Sequence, residues 1–286
     1  MISLKENYDK NQNNLFCYNS QYLQKLRKDL INNFNLDPKI IRNNESLKHF
    51  DTKFFNKFKY HPINENESFP EFDERYESIG NINDNKDLVL EKIKSYENTF
   101  KDDYLVNLNT IFHNVGIYSE IKENTNKKFL FKNKVLNDKT IFSKNFFKIN
   151  SNCNIIIVEK FDNKNQSNIN LINYFEIEKN SRVVHLIIQE NGEKANLQFT
   201  NYVNCYEKSI YKQVIFNASE SSIRNHNYAN LLGTESRAEL FGIFFAIFCA
   251  SPFGRDVKRI SSLFQFTFFI LHILGRFFFL IFLSKV

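Results

Sequence analysis

Between Asn154 and Phe244, short apolar clusters recur and are separated by turns rich in Asn, Ser, Lys and Glu. They are Ile155 to Val158, Tyr174 to Ile177, Val183 to Ile188, Leu197 to Phe199, Tyr202-Val203, Val214 to Phe216 and Leu240 to Phe244. Such runs are β-branched or aromatic and too short for good helices, so each reads as a strand and the core as β. Asn191-Gly192 is the sole Asn-Gly hairpin signal in this stretch, which leaves a meander of tight hairpins poorly supported. A stacked solenoid fits better: in a parallel β-helix each short strand turns a corner and pairs with the coil above, and corners suit Asn, which tolerates the left-handed region. A sandwich of two antiparallel sheets remains open, because spacing alone does not separate the two. The expectation is parallel pairing between successive coils over 128–247, apolar residues stacked inside and Asn at corners.

The 286-residue chain is 42% apolar, enough for a sizeable core and for one large domain or two small ones. The net charge of +6 divides unevenly: Arg255, Lys258, Arg259, Arg276 and Lys285 against Asp256 give +4 to residues 251–286, leaving +2 for the body. No Lys/Arg stripe interleaves with aromatics there, so nucleic acid is not an expected partner. Heavy use of Asn, Lys, Ile and Phe reads as base composition rather than chemistry. Cys17, Cys153, Cys205 and Cys249 form no Cys-x-x-Cys pair, and MISLKENYDK is too charged for a signal peptide. Reduced thiols and a cytoplasmic location follow.

Residues 1–116 read as helical. Leu15, Tyr22, Leu23, Leu26, Leu30, Ile31 and Phe34 mark one amphipathic helix stopped at Asp37-Pro38. Asn64 to Asp84 is polar, carries Pro70 and reads as a linker or loose loop. Leu88, Val89, Ile93, Tyr96 and Phe100 mark a further helix, and Asp102 to Gly116 another, with Asp102 or Asp103 as N-cap and Gly116 as C-cap.

Candidate chemistry is thin, and each candidate has a structural reading beside the functional one. His185 lies between Val184 and Leu186 and reads as a satisfied or solvent-facing side chain before a metal ligand. Cys153 and Cys205 flank strands and hold sulfur or iron only if the coils stack them together; otherwise each is a small buried hydrophobe. His226 sits in an Asn-rich turn beside Arg224. The Arg224 fork is expected to bond backbone carbonyls and lock adjacent coils. Gly233 and Gly242 read as corner and close-packing positions, since no phosphate-binding glycine pattern is present. Glu159, Asp162, Glu176 and Glu178 alternate with apolar residues as on the outer face of a strand, where they offer a polysaccharide-cleaving solenoid no converging pair.

From Ser222 the chain reads SIRNHNYANLLGTESRAELFG, and Arg224, Asn225, Leu232, Gly233, Glu235, Ala238, Leu240 and Gly242 resemble a SufB/SufD core signature. IIIVEKF from Ile155, NYFEIEKNSRVVHLIIQ from Asn173 and NYVNCYEKSIY from Asn201 precede it in the order expected. Asp103, Leu108, Asn109 and Phe112 resemble the family's helix leading into the β-helix, whereas Leu47 and His49-Phe50 depart from its Glu-x-Trp-Lys-Tyr patch. The resemblance covers roughly 100–247 and is closer to SufD than to SufB. It implies an α+β, mainly β chain, with a right-handed parallel β-helix over 117–247 behind the helical region 1–116. It also implies a non-catalytic scaffold subunit of iron-sulfur cluster assembly with a SufB-like subunit and a SufC-like ATPase, binding no cofactor stably and meeting a cluster transiently in the intact complex. The family's later coils and terminal helices have no counterpart here, so no cluster ligand or partner-binding residue is carried over. A carbohydrate-active solenoid and a membrane-anchored solenoid interaction protein are the alternatives.

From about Phe248 the composition changes abruptly. Leu263 to Leu283 spans 21 residues, 16 of them Leu, Ile or Phe, with Arg276 inside and Lys258, Arg259 and Lys285 flanking. That length suits an apolar helix crossing a bilayer core of about 30 Å. The switch from family-like to unrelated Phe-rich sequence points instead to an out-of-frame tail and an incomplete product, with membrane association following only if 263–283 is genuine.

Overall fold

The computed structural model describes residues 4–33, 69–73, 76–96, 103–134, 139–163, 167–192, 195–219 and 222–244, all within the compact unit Met1–Ile247. The tail 248–286, with the apolar helix expected there, lies outside the described residues. So does Leu47 with its neighbours.

A β-solenoid forms the body. Strands β2 (Ile117–Ile121), β4 (Thr140–Ile149), β6 (Ser167–Ile177), β8 (Ala195–Cys205) and β10 (Ser222–Leu231) alternate along the chain with β3 (Asn126–Asn133), β5 (Asn154–Phe161), β7 (Arg182–Gln189), β9 (Ile210–Asn217) and β11 (Arg237–Phe244). Each coil gives one strand to each of two sheets, and every pairing between coils is parallel. The antiparallel sandwich is thereby excluded. Only β1 (Ile79–Asn81), which closes the first edge of the six-stranded sheet on β2, runs antiparallel among the named strands.

Register explains the strength of the stack. Thr140 pairs with Asn168, which pairs with Asn196; Asn154 pairs with Arg182, which pairs with Ile210. Like therefore sits on like: Phe147 stacks on Phe175 at 4.8 Å and 9°, Phe146 on Tyr174 at 4.9 Å and 7°, separations at which aromatic pairs add to their burial. Corners repeat at the same interval. Asn124, Asn152 and Asn180 sit at φ 58–59° and Lys208 at 54°, and the N–H of each donates to the corner of the next coil at 2.9–3.1 Å. Asn visits this left-handed region readily and Lys does not. Lys208→Asn is therefore expected to raise stability by about 0.5–1 kcal/mol, read as a higher urea midpoint at unchanged m-value.

Helices cover the six-stranded sheet. The expected single N-terminal helix is broken in two, α1 (Leu4–Asn11) and α2 (Gln21–Asn33), with a 3-10 turn at Gln12–Asn14 between them and Leu15 outside both. Helix α3 (Lys86–Tyr96) lays Val89, Ile93 and Tyr96 on the aromatic column Phe146, Tyr174, Tyr202. Helix α4 (Tyr104–Phe112) starts at the N-cap Asp103 as expected, but ends at His113 rather than Gly116. Gly116 has another role: at φ +149°, a Cβ there would lie 1.8 Å from the Lys144 carbonyl oxygen, so only glycine lets the chain pass beneath β4. The described part of 64–84 is packed rather than loose, with Phe69 and Ile82 buried and Glu71 exchanging two backbone hydrogen bonds with Lys132 of β3.

Candidate functional site

Two polar centres interrupt the apolar packing. The first lies where α4 meets β10. Asp103 Oδ1 accepts from the Leu105 and Val106 N–H groups, which satisfies two of the orphan donors at a helix start. Its Oδ2 accepts from Arg224 Nη2 at 3.4 Å and Tyr228 O–H at 3.2 Å, and stands 3.5 Å from His226 Nδ1. Burial alone would raise the Asp103 carboxyl; contact with His226, the Arg224 charge and the Val106 N–H together bring it down to about 2. Tyr228 moves up to about 12, through burial and then the Asp103 charge. Arg224 Nη2 also lies 2.6 Å from His226 Nδ1. That nitrogen accepts from the guanidinium in one tautomer and donates to Asp103 in the other.

Arg224 thus has a side-chain partner that the sequence did not suggest. Its fork ties β10 of the fifth coil to the N-cap of α4, a side-chain clamp across 121 residues of sequence, beside the carbonyl bonding between coils that the sequence suggests. Sequence reasoning singled out Asp103 as a cap and Arg224 as a lock without joining them, and no local signal could have done so.

The second centre is inside the solenoid. On β7 it is Val184, Leu186 and Ile188 that turn outward, while Val183, His185, Ile187 and Gln189 face in. His185 Nε2 lies 3.0 Å from Glu159 Oε2 and its Nδ1 2.8 Å from the Tyr211 hydroxyl. Gln213 Nε2 donates to that hydroxyl at 3.2 Å, so the tyrosine proton is directed to His185 Nδ1 and the histidine donates through Nε2 to Glu159. Asn173 donates to the same carboxyl oxygen at 2.9 Å, inside a ladder in which Asn145 donates to Asn173, Asn173 to Asn201, and Asn201 to Asn227. Glu159 is fully buried, which overturns its placement on an outer face. Glu176 does face outward, but Lys92 and Tyr96 of α3 hold its two oxygens. The solenoid thus presents no open carboxylate pair from these two residues.

The cysteines stay apart. Cys153 closes the corner before β5, where its N–H donates to Ser181 Oγ at 3.0 Å and its thiol donates to the Lys122 carbonyl at 3.1 Å. Cys205 ends β8 beneath Leu231, on the column of Ile177; burial pushes its thiol up, away from the thiolate that binds metals. Among the described residues no group of three or more His, Cys, Asp or Glu side chains gathers as a metal site. Of the signature residues, Asn225 exchanges amide contacts with Gln189, Glu235 takes the last left-handed corner at φ 60°, and Leu232, Leu240 and Ala238 lie on the final coil with Leu232 and Leu240 exposed. A Cβ on Gly233 would lie 2.1 Å from the Glu207 nitrogen, whereas on Gly242 it would meet only the movable ring of Phe244.

Residues 131–247 match the family model described as "SUF system FeS cluster assembly, SufBD core domain". The match supports the SufB/SufD family and suggests involvement in SUF iron-sulfur cluster assembly. No curated protein matches the chain. No helix among the described residues is long and apolar enough to cross a membrane.

Proposed function

We propose that the chain is a SufD-like, non-catalytic scaffold subunit of iron-sulfur cluster assembly, working in the cytoplasm with a SufB-like subunit and a SufC-like ATPase. The cluster is cargo, met transiently in the intact complex. One observation carries this reading: the family match over 131–247 and the parallel coils from β3 to β11 are the same stretch of chain. The two polar centres act as braces, one clamping a helix to a coil and one tying the two sheets together. Neither sets a nucleophile against a base beside open space, which is what a hydrolytic solenoid needs. Co-expression with the two partners tests the reading. A complex of all three surviving size-exclusion chromatography is expected; a chain that elutes alone, or that turns over a polyuronide, overturns it.

A further inference from the structure

One stretch of the surface carries charge without counter-charge. Lys122, Lys127, Lys128, Lys132 and Lys134 stand in and beside β3, all of them exposed, against a single acid in the run 122–134, Glu123. Among the described residues none of the five has an ion-pair partner, and Glu71 meets Lys132 through backbone hydrogen bonds alone. Farther along the same sheet the lysines are matched. Lys212, in the column of Lys128, reaches Glu239 at 3.2 Å, and Lys160, in the column of Lys132, reaches Glu190 at 3.4 Å. On β3 the register instead sets Lys128 beside Ile156 and Lys132 beside the like-charged Lys160. Leu130, between Lys128 and Lys132, is 37% exposed.

We propose that this strip docks an acidic, extended segment of a partner protein, in the pattern acid, any residue, apolar, any residue, acid. Charge complementarity sets the sign: lysines left unmatched on a face where others are paired draw a carboxylate-bearing partner and speed its encounter. Spacing sets the pattern. Side chains of an extended chain return to one face at every second residue, so Lys128, Leu130 and Lys132 form a row about 13 Å long with an apolar centre between two cations. A partner segment of the same period places a carboxylate on each lysine and an aliphatic side chain on Leu130. Nucleic acid fits less well. Phe129 and Phe131, the aromatic residues between these lysines, are turned inward and buried, which leaves a base no ring from this run to stack on.

Fluorescence anisotropy with the full chain tests this, the probe being a labelled peptide of two Glu-Ser-Leu-Ser-Glu units. Saturable binding that weakens as salt rises is expected. Lys128→Glu/Lys132→Glu should weaken it about tenfold and Leu130→Ser about threefold. Lys5→Glu/Lys10→Glu, at exposed positions on α1, makes the same change in net charge and should leave binding within about twofold. Replacing the peptide's Glu by Gln should abolish binding. Absence of saturable binding, no loss in the β3 variant, or equal losses in the two charge-reversal variants overturns the proposal. So does tighter binding of an oligouridylate or of phosphatidylserine vesicles through the same lysines, which would assign the strip to nucleic acid or to a membrane.

Discussion

His185→Ala is expected to lower the unfolding free energy by about 3–5 kcal/mol, the cost of removing one partner of a fully buried pair. That is a large share of the 5–15 kcal/mol by which a domain is stable. Without the imidazole, Glu159 Oε2 keeps only the Asn173 amide and the Tyr211 hydroxyl loses its acceptor. Glu159 Oε1 already has no described partner, which leaves the carboxyl no second anchor. Urea unfolding of the two single variants and of Glu159→Leu/His185→Leu separates pair from packing. The double variant should recover most of the loss, because replacing both partners with apolar groups of similar size is close to neutral. Additive losses in the cycle would mean the pair is not coupled.

Lys144→Met should stabilise the protein at pH 7, on the order of 2–4 kcal/mol, and change how stability varies with pH. The Lys144 ammonium is almost wholly buried between α4 and β6. Its described partners are two hydroxyls, Thr110 at 3.0 Å and Tyr174 at 3.5 Å, and Arg27 nearby adds like charge. Burial first, then Arg27, lowers its pKa from 10.5 to about 7. The same two influences, with Lys144 itself, hold His113 well below its usual range. Between about pH 7 and 10.5 the unfolded chain binds a proton at this position that the folded chain releases, so stability rises with pH across that window. Below it both states are protonated and the full penalty stands. The advantage of Lys144→Met should therefore be largest near pH 7 and shrink by pH 10. A difference flat across that range would show that Lys144 is not neutralised by folding.

How far the sequence was legible follows from what each element needs. The parallel solenoid and its Asn corners could be read because short β-branched runs without hairpin turns leave few ways to pair. A stronger signal is the repeat itself: NCNIIIV, NSRVVHL and KSIYKQV begin at Asn152, Asn180 and Lys208, and each is one corner followed by one strand. The inside of the coils was harder. In Val183 to Ile188 both faces are apolar but for His185, so alternation cannot say which side faces in. The Asn content reads as base composition, yet Asn145, Asn173 and Asn201 are fully buried in one ladder. Arg224 and Asp103 could not be joined at all, since only the docking of α4 on the completed coils brings them together.

The two long edges of the solenoid differ in what they can absorb. Along one edge the corners 122–125, 150–153, 178–181 and 206–209 are all four residues long, and each hands its N–H to the next in an unbroken line. The fifth corner, 232–236, is one residue longer and still leaves β11 in register with β9, so an added residue is tolerated at the last coil; between two coils it would interrupt that line. Along the other edge the connections 134–139, 162–166, 190–194 and 218–221 differ in length while the strands on either side remain in register. Foreign sequence, whether an affinity tag, a fluorophore attachment loop or a displayed epitope, belongs on that second edge, and the connection between Gln189 and Ala195 is the natural graft point.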